Sequence, residues 1–339
     1  MLKSNCGQWP AASFMSVKAA TKAATERGLR ETTDKKEKRL RSRRFAEARD
    51  IEHSMTEMTM NALKTFAIGL ALGLGVAVAH AETLDCGDDT LCKIEATKVL
   101  KVGTKDDYKP WSYRAADGSF AGMEVDLANA LGQLLGAKVE IVKVNSANRF
   151  EFLAQGQIDI MIASATDTAE RRQVVGFVHP NYYSSGYNIL LPKKVKATKW
   201  DEMAGQTICA IQGAWYNKPA QEKFKLELLA FAGTAEVESA LQQGRCIGVL
   251  SDDNLINVQL ADPKWADYHM PLPTQDDAPW GIAVRKADLD KPWGVLVAGA
   301  IANWHRSGKL LELEKANGIA ESAYLRKMHE ALKDHLATQ

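Results

Sequence analysis

Short apolar segments of strand length alternate with segments of helical spacing along most of residues 99–304, and this alternation limits the possible folds more than any other feature. Residues 99–103 begin as a strand, and Asp117-Gly118 marks a turn. Leu127, Leu131, Leu134 and Leu135 recur at helical spacing and stop at Gly136. Residues 139–142 read as the next strand, 148–155 as a short helix closed by Gly156, and 158–163 as a third strand. The polar segment 192–198 interrupts the pattern. A second alternation follows, with strand 207–211, helices around 219–229 and 235–243, strand 247–250 and helix 255–260. Segment 271–279 interrupts it again, before a strand at 281–284 and helices from 295 onward. Strands that alternate with helices predict an α/β fold with a largely parallel sheet, whose ligands gather at the carboxyl ends of the strands. Two such units joined by two linkers predict two Rossmann-like lobes on a two-segment hinge. Lobe 1 is expected over 82–191 plus 279–339 and lobe 2 over 192–278, with the ligand in the cleft between them.

The segment upstream of this pattern has a different character. Met60-Asn-Ala-Leu-Lys64 is a short basic start, residues 66–78 are an apolar run, and Ala79-His80-Ala81 has the small-x-small form that signal peptidase accepts. The run is shorter than the roughly 20 apolar residues of a membrane span. An export signal over 60–81, cleaved after Ala81, is therefore expected. Residues 1–59 then read as a non-native, disordered upstream extension produced by an early start, with Met58 or Met60 as the true start. Residues 1–57 hold thirteen Lys/Arg against eight Asp/Glu, and Lys64 alone is charged in 58–81. The overall charge of +1 thus leaves 82–339 at −5. That balance argues against a nucleic-acid partner for the folded part.

Cysteine usage fits an oxidising compartment. Residues 82–339 keep four cysteines, whose spacing favours a small Cys86–Cys92 loop and a longer Cys209–Cys246 clasp. The seven histidines form no grouping suited to zinc. No metal or other cofactor is expected.

Within the first unit, the run from Gly156 to Arg171 carries the candidate site. Thr168 has the character of an N-cap, which places Arg171 in a first helical turn, where a cation is disfavoured unless an anion sits nearby. Ser164 and Thr166 lie in the same turn and supply hydroxyls and backbone N–H groups. Together they outline a carboxylate or phosphate site at a strand end; a surface arginine paired with Glu170 fits the spacing equally well.

The chain from Val99 through Gly318 resembles the type II periplasmic solute-binding proteins that feed amino-acid ABC transporters. The matching pieces are Val102-Gly103, Tyr108-Lys-Pro-Trp111-Ser-Tyr113, Gly122-Met-Glu-Val-Asp126-Leu, Asn148-Arg149, Gly156-Gln-Ile-Asp159, Thr168-Ala-Glu-Arg171, Gly244-Arg245, Ser251-Asp252-Asp253 and Trp280-Gly281. The resemblance implies that Arg171 pairs with a ligand α-carboxylate with help from Thr166, and that Ser164 and Asp252 hold the α-ammonium. A zwitterion needs such a donor fork and acceptor, and arginine supplies the fork better than lysine. An N-cap role in Ser251-Asp-Asp-Asn254 is the alternative for Asp252.

The same resemblance bears on ligand choice. Members for basic amino acids carry an acid at the position matching Lys105, and members for acidic ones carry arginines in this loop and at the position matching Arg149. Cations at both positions here favour a polar, anionic side chain such as that of glutamate or aspartate. The alternatives are Lys105 in solvent and Arg149 paired with Glu151 or Asp159. Tyr108 matches a position that stacks on the ligand, with Trp111 beneath it. Ser146 replaces an aromatic, and Trp215 stands where a hydroxyl residue commonly caps the carboxylate. The expected partners are a free amino acid and an inner-membrane ABC permease with its ATPase subunit, served by a periplasmic monomer. The competing reading is an enzyme, a cyclohexadienyl or arogenate dehydratase of similar architecture, for which Asp106, Asp107 or Asp252 is the candidate general acid.

Overall fold

The alternation is realised as one strand order used twice. A computed structural model describes residues 86–334, so the upstream extension and the export signal lie outside the described residues. Helix α1 (Thr90–Thr97) is capped by Asp89, which accepts from the Cys92 N–H at 3.0 Å. Strand β1 (Val99–Thr104) follows, then β2 (Asp107–Tyr108), β3 (Ser112–Arg114) and β4 (Phe120–Ala121), which form a small antiparallel sheet of their own. Helix α2 (Met123–Leu135), β5 (Lys138–Lys143), helix α3 (Arg149–Ala154) and β6 (Ile160–Met161) complete the first unit's crossover. Strand β1 pairs in parallel with both β5 and β6, giving the order second-first-third.

The second unit repeats this order. It contains β8 (Thr207–Ile211), helix α4 (Asn217–Phe224), β9 (Glu227–Phe231), helix α5 (Thr234–Gln242), β10 (Val249–Asp252) and helix α6 (Asp253–Leu260). Here β8 sits in parallel between β9 and β10. Two long strands run through both units. Strand β7 (Val175–Pro192) pairs antiparallel with β12 (Gln275–Arg285) from Val175 to Tyr187, and with β10 from Tyr187 to Leu190. The full order is β5-β1-β6-β12-β7-β10-β8-β9, with β11 (Tyr268–His269) added to the end of β7. Helices α7 (Pro292–Ser307), α8 (Lys309–Ala316) and α9 (Ala323–Leu332) follow.

Both expected disulfides are present, Cys86–Cys92 and Cys209–Cys246, the latter joining β8 to the turn before β10. Several local expectations change. The strand expected over 158–163 shrinks to Ile160–Met161, although the Asp159 and Ile162 N–H groups still bond β1 carbonyls. The helix expected around 219–229 stops at Phe224, where Lys225 turns left-handed, and the apolar run after it becomes β9. Thr168 caps a single 3-10 turn, Arg171–Gln173, rather than a helix. The two segments taken as linkers are partly strand, because β7 extends to Pro192 and β12 starts at Gln275. Alternation and turn residues cannot report this, since a strand buried along most of its length shows no period.

Candidate functional site

Five parallel strands deliver their carboxyl ends to one place. Lys105 follows β1, Ser146 follows β5, and Ser164 and Thr166 follow β6. From the second unit, Ile211 ends β8, Ala214, Trp215 and Tyr216 follow it, and Asp252 ends β10. With Tyr108 and Arg149 these residues line a cavity of about 260 Å³. This is the location that doubly wound sheets reserve for ligands.

A strained serine organises the floor. Ser164 has φ +48°, in the left-handed region that costs a non-glycine residue of order 1 kcal/mol. Its N–H and hydroxyl both donate to Glu124 Oε1 at 2.7 Å, and Tyr182 Oη donates to the same oxygen at 2.5 Å. Arg149 holds the other side by donating to the Ser164 carbonyl at 3.2 Å and to the Ala163 carbonyl. The Ser164 hydroxyl proton is thus committed to Glu124, leaving oxygen lone pairs as what this side chain can still offer a ligand. Glu124 was not singled out in the sequence, although its spacing to Leu127 and Leu131 puts an acid on the buried face of α2.

The charges around the cavity are unevenly matched. Asp252 is buried and makes no capping bond to α6; it accepts a short hydrogen bond from Tyr108 Oη. Burial holds its carboxyl up at about 6, against the opposing pull of Lys105 and the Tyr108 bond. Lys105 is 5% exposed, so it does not stand in solvent, and its ammonium lies 3.6 Å from the centre of the Tyr108 ring. Burial and then Arg149 lower it to about 8. Arg149, 2% exposed, has an Nε–H without an acceptor. It pairs with neither Glu151, which accepts from Gln155, nor Asp159, which accepts from the Lys101 N–H. Trp215 likewise has a buried indole N–H without an acceptor. Burial also raises the hydroxyls of Tyr108 and Tyr216 above their ordinary range.

Arg171 flanks this cavity rather than lining it. Its guanidinium donates to the Thr166 carbonyl and to the Gly213 carbonyl, both at 2.9 Å, and so ties the two units together. Burial, with the nearby Arg149 charge, holds it below the ordinary arginine range. Trp111 is fully buried behind the wall, with its ring 5.9 Å from that of Tyr108 and 5.5 Å from that of Trp280. It supports Tyr108 and does not line the cavity. Tyr216 does line it and was missed, because one tyrosine beside Trp215 in a sequence has no periodic signal to mark its direction.

Such a site offers one carboxylate, three cations and unpaired N–H donors, a set suited to a small zwitterion with further negative charge. Comparison with known proteins agrees with this chemistry. Residues 100–336 match the family model for bacterial extracellular solute-binding proteins, family 3. The ABC transporter glutamine-binding protein GlnH of Bacillus subtilis is 28% identical over 231 residues, covering 66% of this chain and 84% of that protein. Cyclohexadienyl dehydratase of Pseudomonas aeruginosa is 33% identical over 105 residues, 31% of this chain and 39% of the enzyme. Among solved structures, the ancestral amino acid-binding protein AncCDT-1, a precursor of cyclohexadienyl dehydratase, superposes with a TM-score of 0.61 at 27% identity, covering 67% of this chain and 98% of that one. Among the described residues, no helix is long and apolar enough to cross a membrane. The match over most of its length makes this chain a member of the bacterial extracellular solute-binding proteins, family 3, the type II periplasmic proteins that bind amino acids for ABC transporters.

Proposed function

We propose that this protein binds an amino acid with an acidic side chain between its two units and delivers it to an inner-membrane permease and ATPase. The observation that carries the reading is the pair of buried donors without acceptors, Arg149 Nε and Trp215 Nε1, beside the Lys105 ammonium. An unmet buried donor costs about 1 to 3 kcal/mol, so an incoming anion gains from satisfying it. In this reading Asp252 and the Ser164 oxygen take the α-ammonium. Thr166 and Arg171 take the α-carboxylate once Arg171 releases its two carbonyls. Lys105 and Arg149 take the side-chain carboxylate, and Tyr108 stacks on the ligand. Trp215 supplies an N–H where relatives carry a hydroxyl. The lobes are 82–191 plus 279–339 and 192–278, hinged through β7 and β12, and the working form is a periplasmic monomer released by cleavage after Ala81.

Calorimetric titration against the twenty amino acids tests this directly. Glutamate or aspartate is expected to bind most tightly, and Lys105→Met is expected to cut that affinity by about ten- to hundredfold, as loss of a charged hydrogen bond does. Equal affinity of wild type and Lys105→Met for the preferred ligand would remove the acidic assignment. A second reading, dehydration of a cyclohexadienyl acid, is favoured by one feature, the Asp252 carboxyl held near 6 in the cleft. Turnover of prephenate, abolished in Asp252→Asn, would establish it in place of transport.

A further inference from the structure

Helix α5 carries half of a capping box. Glu236 accepts from the Ala232 N–H at 3.0 Å, but the cap position is Gly233, which has no side chain to serve the first-turn N–H groups. The missing acceptor comes from the other unit. Asp107 Oδ2 accepts from the Thr234 N–H at 2.6 Å. Only glycine permits this approach, because a Cβ at position 233 would lie 2.3 Å from that oxygen. A carboxylate at a helix N-terminus also interacts favourably with the partial positive charge there.

Asp107 belongs to β2 and α5 to the second unit, so the bond exists only where the units meet. The next residue, Tyr108, reaches across in the same way to Asp252. Two successive side chains of one short strand thus fasten onto two elements of the facing unit. Asp107 does not line the ligand cavity; it lines a neighbouring cleft with Gly233 and Thr234.

We infer that Asp107 is an affinity-setting positioning residue, which caps α5 only when the two units close and so tightens ligand binding without touching the ligand. The inference rests on the two-lobed reading proposed above. Loss of an N-cap of this kind corresponds to about a two- to thirtyfold change in the closing equilibrium.

Three measurements test it: ligand affinity, melting temperature and the distance between spin labels placed on exposed positions of the two units. In Asp107→Ala, affinity is expected to fall about two- to thirtyfold, with faster dissociation, and the label distances should shift toward longer values. Adding Gly233→Ser gives α5 its own cap, so the double variant should regain melting temperature but not affinity or the short distance. If Gly233→Ser restores affinity too, Asp107 acts merely by stabilising the helix and the inference is overturned. Unchanged affinity and distances in Asp107→Ala overturn it as well. If the wild type binds no amino acid, the functional proposal fails while the distance measurement still decides the role of Asp107.

Discussion

Lys105 and Asp252 are held away from their ordinary ionisation in opposite directions, and this fixes when the site works. The buried Lys105 ammonium is unfavourable below about pH 8, a penalty lifted as pH rises toward the ordinary 10.5. The buried Asp252 carboxylate is unfavourable above about pH 6, a penalty absent below the ordinary 3.8. Both penalties coincide between about pH 6 and 8, so these two groups contribute least to folding stability in that window. It is also the window in which both charges are present for a ligand. Affinity for glutamate or aspartate should therefore peak there and fall by up to roughly tenfold per pH unit on either side. Asp252→Asn should remove the acid limb of the calorimetric profile and Lys105→Met the alkaline limb. A flat profile from pH 5 to 9 would mean that neither group meets the ligand. The candidates were visible in the sequence as residue types, with Arg149, Lys105 and Asp252 all quoted from matched pieces. What could not be read there was their pairing. Glu124 engages Ser164, which leaves Arg149 and Lys105 without a carboxylate bonded to them, and that follows from three-dimensional packing alone.

Among the elements, those with a clear period or a sharp stop were the most legible. Helix α2 ends at Gly136, and β8 runs from Thr207 to Ile211 as expected. The strand buried along most of its length, β7, was invisible as a unit, and β9 was taken for the tail of a helix because Leu226, Leu228 and Leu229 satisfy either spacing. The Cys209–Cys246 bond ties β8 to the approach to β10 across a separation of 37 residues. Replacing both cysteines by alanine should cost about 3 to 4 kcal/mol by chain-entropy estimates and lower the melting temperature by about 10 °C. The Cys86–Cys92 loop, with a separation of 6, should contribute about 2 kcal/mol and leave ligand affinity intact, because it lies on α1 away from the cavity. Differential scanning calorimetry of the two double variants distinguishes these effects.

On the scale of the whole molecule, β7 and β12 are the elements shared by both units, and Gly186 sits where they cross from one to the other. A Cβ at this position would meet Thr274 Cγ2 at 2.3 Å and the Gln275 carbonyl at 2.7 Å. Gly186→Val should push the two strands apart and cost about 1 to 3 kcal/mol in a denaturant titration. Unchanged stability would show that the strands separate there without penalty. The two-unit plan was legible from the doubled alternation, whereas the continuity of the sheet through the junction was not, since polar and proline-rich residues disguised the strand ends as linkers.

The second unit enters through β7 and leaves through β12, at places where Tyr187 and Gln275 stand opposite one another in the sheet. Everything it gives the cavity, Trp215 and Asp252 included, is encoded in the single uninterrupted stretch between those points. Its two ends are neighbours, so the stretch is a cassette: a chain with this plan can exchange half of its recognition chemistry in one graft without rethreading the other half.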